Sequence, residues 1–195
     1  AASDVYKRQR LRLGSIEPSV ITEDFCKKIA ACGSVCRHFH LSLQSGCDAT
    51  LKAMNRKYDT ARFYEAMQLL RRYFPDCGMT CDVIVGFPGE TEADFETTCK
   101  FAESCGFSKM HIFPFSARKG TPAEKFAGTV TEAVKKERAD ILGRIDETMH
   151  KTFLQAMVGQ NAEVLFEQPA GEDYFEGLTG NYQRCLLYTS DAADE

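Results

Sequence analysis

The chain has 195 residues, of which 44% are hydrophobic, and a formal net charge of −4. That length suffices for one medium domain with a real core. No apolar run approaches the roughly 20 residues needed to span a bilayer, and the slightly acidic balance gives no general basic surface for nucleic acid.

The two ends differ from what lies between them. A DNA segment encoding residues 1–9 (AASDVYKRQ) can be written whose reverse complement encodes Cys-Leu-Leu-Tyr-Thr-Ser-Asp-Ala-Ala, the run at 185–193. Two ends encoded by opposite strands of one oligonucleotide read as a translated sequencing adapter, so 1–9 and 185–195 are set aside as scars. The remaining window, 10–184, carries a net charge of about −2 once the ends are removed and is expected to be cut at both sides.

Within that window, residues 10–16 (RLRLGSI) form a short β-rich run ending at Glu17-Pro18. Thr22 is a helix cap, with Phe25, Ile29 and Cys32 at helical spacing before Gly33. His38 to Leu43 alternates like a strand and breaks at Gln44-Ser45-Gly46. A short helix is expected over 48–54 and a longer one capped by Thr60, with Phe63, Met67, Leu70 and Phe74 on one face until Pro75-Asp76. Thr80 to Gly86 is the next strand. Thr91 caps a helix bearing Phe95, Cys99 and Ala102, and Lys109 to Phe115 is a further strand. Strands alternating with helices imply right-handed crossovers and a parallel sheet. A long helix over 131–157 follows, with Val134, Ile141, Ile145, Met149 and Phe153 on one stripe. From Val158 the character changes to glycine-punctuated β sequence, the opening of a separate small β domain running to Arg184.

The most informative stretch is residues 80–96, TCDVIVGFPGETEADFE. A buried strand runs into a Gly-Phe-Pro-Gly turn and then a helix start. Gly86 and Gly89 lack Cβ atoms, so another molecule can approach the backbone there. In a parallel α/β sheet, ligands bind beyond the carboxyl ends of the strands. The ends at 15–18, 42–46, 86–90 and 113–116 would share one rim, offering a carboxylate, an amide, glycine turns and aromatics to a small polar molecule with an aromatic ring. Glu17 accepts from ribose hydroxyls or an ammonium group, or caps the next helix. Gln44 and Ser45 bond a ligand, or satisfy the turn. Arg56 suits a carboxylate or phosphate, or is a solvated surface residue. Arg118-Lys119 meets an anionic substrate, or lies in a solvated loop.

Eight cysteines lie inside the window. The pairs Cys32/Cys36 and Cys77/Cys81 are spaced C-x3-C without a third partner at metal-ligand spacing, so reduced, buried thiols of a cytosolic protein outweigh a zinc site. His38 and His40 share a strand face, as metal ligands do, but a packed, hydrogen-bonded role outweighs that one. His111 reads the same way.

Taken together, RLRLGSIEP (10–18), HFHLSLQSGCDATLKAMNRKYDT (38–60), DVIVGFPGETEADF (82–95) and HIFPFSARKGTPA (111–123) resemble the radical S-adenosylmethionine methylthiotransferases. SIEP and FSARKGTPA point to the branch acting on N6-threonylcarbamoyladenosine at tRNA position 37, rather than the isopentenyladenosine or ribosomal-protein branches. The resemblance implies an α/β fold, a partial TIM-like radical SAM barrel over 10–157, followed by the truncated start of a small β TRAM-like domain for RNA contact over 158–184. It implies S-adenosylmethionine and two [4Fe-4S] clusters in the full-length protein. The C-x3-C-x2-C ligands would lie upstream of this chain, so no visible cysteine is assigned to iron and the metal set is empty. By the same resemblance, Ser15, Glu17, Gln44 and Ser45 contact the methionine or ribose part, Arg56 its carboxylate, and Val85, Gly86, Phe87, His111 and Phe113 the adenine.

The implied reaction begins with reductive cleavage to a 5′-deoxyadenosyl radical that takes hydrogen from C2 of the adenine base. The implied partners are tRNA and an electron donor such as flavodoxin or ferredoxin, in the cytoplasm and without a membrane. No catalytic side chain is assigned, and the fragment alone is expected to be inactive. The competing reading is a non-catalytic nucleotide- or RNA-binding α/β module.

Overall fold

The computed structural model describes residues 10–171 and 173–188. Four strands form one parallel sheet in the order β1 (Leu11–Ile16), β2 (Val35–Gln44), β3 (Gly78–Val85) and β4 (Lys109–Pro114). Between them lie α1 (Glu23–Ala30), then α2 (Asp48–Ala53) and α3 (Thr60–Tyr73), then α4 (Glu92–Cys105). All three strand pairs are parallel, so the four carboxyl ends share one edge. α5 (Glu132–Met157) follows and lies along β4. The chain then forms a three-stranded antiparallel sheet of β5 (Val164–Pro169), β6 (Tyr174–Thr179) and β7 (Arg184–Tyr188).

The order matches the sequence pattern, and several boundaries move. β2 begins at Val35, three residues before the expected His38, and β3 begins at Gly78. α3 is capped by Asp59, whose carboxylate accepts from Arg62 N at 2.8 Å, and not by Thr60. Thr60 is instead the first helical residue, its N–H donating to Asp48 Oδ1 at 2.8 Å. α1 ends at Ala30 with Ala31 as its C-cap, before Gly33, and buries Cys26 fully, while Phe25 and Ile29 are half-buried and Cys32 is exposed. Thr91 does cap α4, in a reciprocal capping box with Asp94, and Gly106 closes the helix at φ 60°. Residues 1–9 and 189–195 of the two adapter-like ends lie outside the described residues, whereas Cys185 to Tyr188 pair with β6 in β7.

One face of the four-stranded sheet is apolar and covered. Phe39, Leu41, Leu43, Met79, Cys81, Val83, Val85 and Met110 pack there against Phe63, Met67 and Leu70 of α3 and Phe95 and Ala102 of α4. Alternate positions on the strands carry Arg12, His38, His40, Thr80, Asp82, His111 and Phe113 to the opposite face. The expected apolar stripe of α5 is only half-buried. The fully buried positions of this helix are Lys135, Arg138, Leu142 and Asp146.

Candidate functional site

The carboxyl edge of the sheet is where the backbone departs most from ideal strands. β1 and β2 both slip register near their ends, between Leu13 and Ile16 and between Leu41 and Gln44. Ser15 sits at φ 54° and Gln44 at φ 67°, and Gly86 follows at 72° after β3. A left-handed conformation costs a non-glycine residue about 1–2 kcal/mol, and such strain gathers where a ligand is clamped. Three neighbouring strands thus carry left-handed backbone at one edge.

Two sizeable clefts flank the sheet. The larger, about 730 Å³, lies at the amino ends of the strands between Arg37, Asp76, Met157 and Asn181. The smaller, about 630 Å³, lies on the carboxyl edge and is lined by Arg12, Ser15, Glu17, Phe25, Ser42 and Arg56. Size favours the first, but the second has the position where parallel α/β sheets hold ligands, and its side chains are less committed. Ser15 and Glu17 are exposed, and Arg56 makes no side-chain hydrogen bond or ion pair among the described residues. Glu17 also accepts from Ser19 Oγ at 3.3 Å.

The other expected site residues divide sharply. Phe113 is 50% exposed, and His111 is exposed with its ring 5.6 Å from that of His40. Gln44 reaches the edge but is largely buried. Ser45 is fully buried, sharing a hydrogen bond with Thr98 Oγ1 at 3.2 Å and accepting from Cys47 N, so its hydroxyl serves the turn. Val85 is part of the covered core, and Phe87 packs edge-on against Phe115 and Phe126. Those two residues offer a ligand only backbone. The bare Cα of Gly86 is also taken: a Cβ there would collide with the Lys135 side-chain stem, so the close neighbour is α5. At Gly89, φ 85°, an added Cβ would meet nothing, and this is the open glycine of the turn. Arg118 and Lys119 are exposed in the loop after β4.

Behind the edge, the open face carries a hydrogen-bonded chain. Asp82 Oδ2 lies 3.2 Å from His40 Nε2, and His40 Nδ1 shares a hydrogen bond of 2.9 Å with Thr80 Oγ1. Thr80 Oγ1 lies 3.1 Å from His38 Nε2. His38 is covered by the ring of Tyr182, 4.6 Å away, from the turn between β6 and β7, and the Arg12 guanidinium lies 3.7 Å from the centroid of the Tyr182 ring. Burial, with Arg12, His40 and His111 nearby, pushes the His38 imidazole down to about 4. The two histidines are therefore packed and bonded through Thr80.

No group of three or more His, Cys, Asp and Glu among the described residues is disposed to hold a metal ion. The cysteines are unpaired thiols. Burial pushes Cys77 and Cys105 up to about 12 and Cys99 to about 11, and raises Cys81 well above its ordinary value. Iron–sulfur ligation requires gathered thiolates, and these residues do not fit that role. The implied nucleotide site fits in part: the carboxyl-edge cleft brings together Ser15, Glu17 and an uncommitted Arg56, whereas Gln44, Gly86, His111 and Phe113 do not line it.

Sequence reasoning missed the residues that support this edge. Glu90 is buried, and its Oε2 accepts from Gly86 N at 2.6 Å. Arg138 donates to the same oxygen at 2.6 Å and to Glu90 O at 3.2 Å. Desolvation raises the Glu90 carboxyl above its ordinary value even beside the Gly86 amide and Arg138. Lys135 Nζ donates to Phe115 O at 2.9 Å. At the opposite, amino end of β4, Asp146 accepts from Met110 N at 2.6 Å and from Lys109 Nζ, and His150 Nδ1 lies 2.7 Å from Ser108 O. The available signal was the 3-4-4 spacing of Lys135, Arg138, Leu142 and Asp146, a second helical stripe beside the apolar one.

The parallel β/α sheet is a partial barrel, and residues 7–102 match the Radical SAM superfamily. The chain belongs to that superfamily. A solved Escherichia coli structure, described as "Coproporphyrinogen III oxidase (HemN) from Escherichia coli is a Radical SAM enzyme", shares the fold with a TM-score of 0.58 at 17% identity, over 70% of this chain and 32% of that one. Within the superfamily the similarity runs to the methylthiotransferases. The chain is 41% identical over 81% of its length to the threonylcarbamoyladenosine tRNA methylthiotransferase MtaB of Thermotoga maritima, covering 36% of that protein. It is 38% identical over 85% of its length to the tRNA-2-methylthio-N(6)-dimethylallyladenosine synthase of Alkaliphilus oremlandii, covering 35% of that protein. The chain thus spans little more than a third of either relative. No helix among the described residues is long and apolar enough to cross a membrane.

Proposed function

We propose that this chain is the barrel portion of a tRNA-modifying radical SAM methylthiotransferase. Its reaction is conversion of N6-threonylcarbamoyladenosine at tRNA position 37 to the 2-methylthio derivative. The observation that carries the reading is the 41% identity over 81% of the chain to an enzyme of that name.

The carboxyl edge is the S-adenosylmethionine cradle. Arg56 pairs with the methionyl carboxylate through its fork of donors. Ser15, Glu17 and Gln44 bond the amino and ribose groups. The backbone of Val85, Gly86, Phe87 and Gly89, with His111 and Phe113, bounds the adenine, and Ser45 acts indirectly by fixing the turn that carries Gln44. When bound, the cofactor supplies one-electron chemistry, while the chain's own residues bind, orient and exclude water. The longer protein carries two [4Fe-4S] clusters, receives electrons from a flavodoxin or ferredoxin, and works in the cytoplasm. The segment 158–184, with β5 and β6, is the start of the TRAM-like module that meets tRNA.

The test begins upstream of Arg10 in the source genome, where a C-x3-C-x2-C loop is expected. The full-length protein, reconstituted anaerobically with tRNA, then yields 2-methylthio-N6-threonylcarbamoyladenosine by mass spectrometry of tRNA digests. An unrelated upstream domain, or no methylthiolated nucleoside, contradicts the proposal. A second reading, the dimethylallyladenosine branch, is favoured by the 38% identity to the Alkaliphilus enzyme. A product carrying that group selects it.

A further inference from the structure

The buried side of α5 is charged where an ordinary amphipathic helix is apolar. Lys135 is 4% exposed, Arg138 5% and Asp146 4%. Buried ion pairs are poor net stabilisers, because desolvation offsets the attraction, and their best-supported use is to fix one arrangement among several. The pair formed by Arg138 and Glu90 is also incompletely satisfied: Glu90 Oε1 and Arg138 Nε are buried with no hydrogen-bond partner. A pair this costly points to what it holds.

It holds the Gly86–Gly89 turn. Glu90 Oε2 receives both Gly86 N–H and Arg138 Nη1 at 2.6 Å, closing a bracket from one end of the turn to the other. Arg138 is itself set by Glu92, at 3.2 Å from Nη2, and lies 5.2 Å from the Phe95 ring centroid. The Lys135 stem covers Gly86, and its ammonium donates to Phe115 O, on the segment whose N–H bonds Val85 O at 2.8 Å. Gly128 O accepts from Gly89 N at 2.9 Å on the outer side.

We propose that Arg138 is a positioning residue for nucleoside binding. It keeps the Glu90 carboxylate in place so that this carboxylate fixes the Gly86 amide and the conformation of the turn bounding the adenine, with Lys135 sealing the rear. The inference rests on the reading of the carboxyl edge as the S-adenosylmethionine cradle. Arg138 touches no reacting atom. It acts through Glu90, and one planar fork spanning Glu90 and Glu92 does what a lysine ammonium cannot.

Amide hydrogen exchange without ligand tests the bracket, and titration with S-adenosylhomocysteine tests the cradle. In the 195-residue chain, Arg138→Met is expected to speed exchange at Gly86 and Glu90 about tenfold while β2 and the middle of α3 keep their protection. Affinity for S-adenosylhomocysteine should fall about tenfold, with Arg138→Lys recovering only part of it. Glu92→Gln, at an exposed residue, provides a milder variant should Arg138→Met fail to fold, with an expected effect of about threefold on the same amides. Unchanged exchange at Gly86 overturns the bracket whether or not the ligand binds. Faster exchange with undiminished affinity overturns the positioning role. A wild-type chain that shows no affinity for the ligand overturns the cradle, and the exchange result alone then decides the bracket.

Discussion

The two faces of the four-stranded sheet are built from the same strands and do opposite work. On the covered face, β-branched, aromatic and sulfur-bearing side chains from β2 and β3 are sealed under α3 and α4, with Phe39, Leu41, Cys81 and Val83 fully buried. On the open face the alternate residues are Arg12, His40, Asp82, His111 and Phe113: His40 is bonded to Asp82 and Thr80, the His111 ring lies beside that of His40, and Phe113 is exposed. The difference teaches that one side of the sheet carries the stability while the other stays polar and, away from His38, open.

The sharpest way to break that comparison is truncation on each side. Phe39→Ala should cost about 3–5 kcal/mol in urea unfolding, whereas Phe113→Ala should stay within about 0.5 kcal/mol and show its effect in ligand affinity. Comparable losses at the two positions would mean that both faces are core.

His38 is the place where the open face is closed, beneath Tyr182. Its imidazole is neutral in the fold down to about pH 4 but titrates near 6.5 when unfolded. The unfolded chain therefore binds the extra proton first, and stability present above pH 6.5 is lost as pH falls toward 4. The loss is at most about 3 kcal/mol. His38→Gln should flatten that part of a stability–pH curve, and an unaltered slope would assign it to other groups.

Smaller effects lie along the edge joining the faces. Gly86→Ala meets both a φ of 72° and the Lys135 stem, for about 2 kcal/mol. Combining it with Lys135→Ala should recover the steric part, measured as a non-additive double-mutant cycle. Thr91→Ala, which removes the cap of α4 on the covered side, should cost about 1 kcal/mol by thermal unfolding without altering the edge.

Much of this arrangement was legible in the chain. Strand–helix alternation dictates parallel strands, and parallel strands put residues 15–18, 42–46, 86–90 and 113–116 on one edge, where the structure has them. The breaks at Ser15 and Gln44 were not legible as left-handed residues, because only glycine announces a positive φ. The phase of α5 was missed for a different reason. Hydrophobic periodicity reports transfer free energy, and the buried positions of this helix are set by partners far away in sequence: Glu90 for Arg138, Phe115 for Lys135, and Lys109 and Met110 for Asp146. Ser45 and Phe87 look like ligand contacts in a motif, but packing with Thr98, Phe115 and Phe126 claims their side chains.

The central claim is that the carboxyl edge receives a sulfonium nucleoside. Amide NMR of the chain titrated with S-adenosylhomocysteine addresses it directly. The account predicts shifts gathered at Ser15, Glu17, Gln44, Arg56, Gly89 and Phe113, with Arg37 and Asn181 unmoved at the far end. Shifts concentrated at Arg37 and Asn181, or none along the carboxyl edge at saturating ligand, would contradict it.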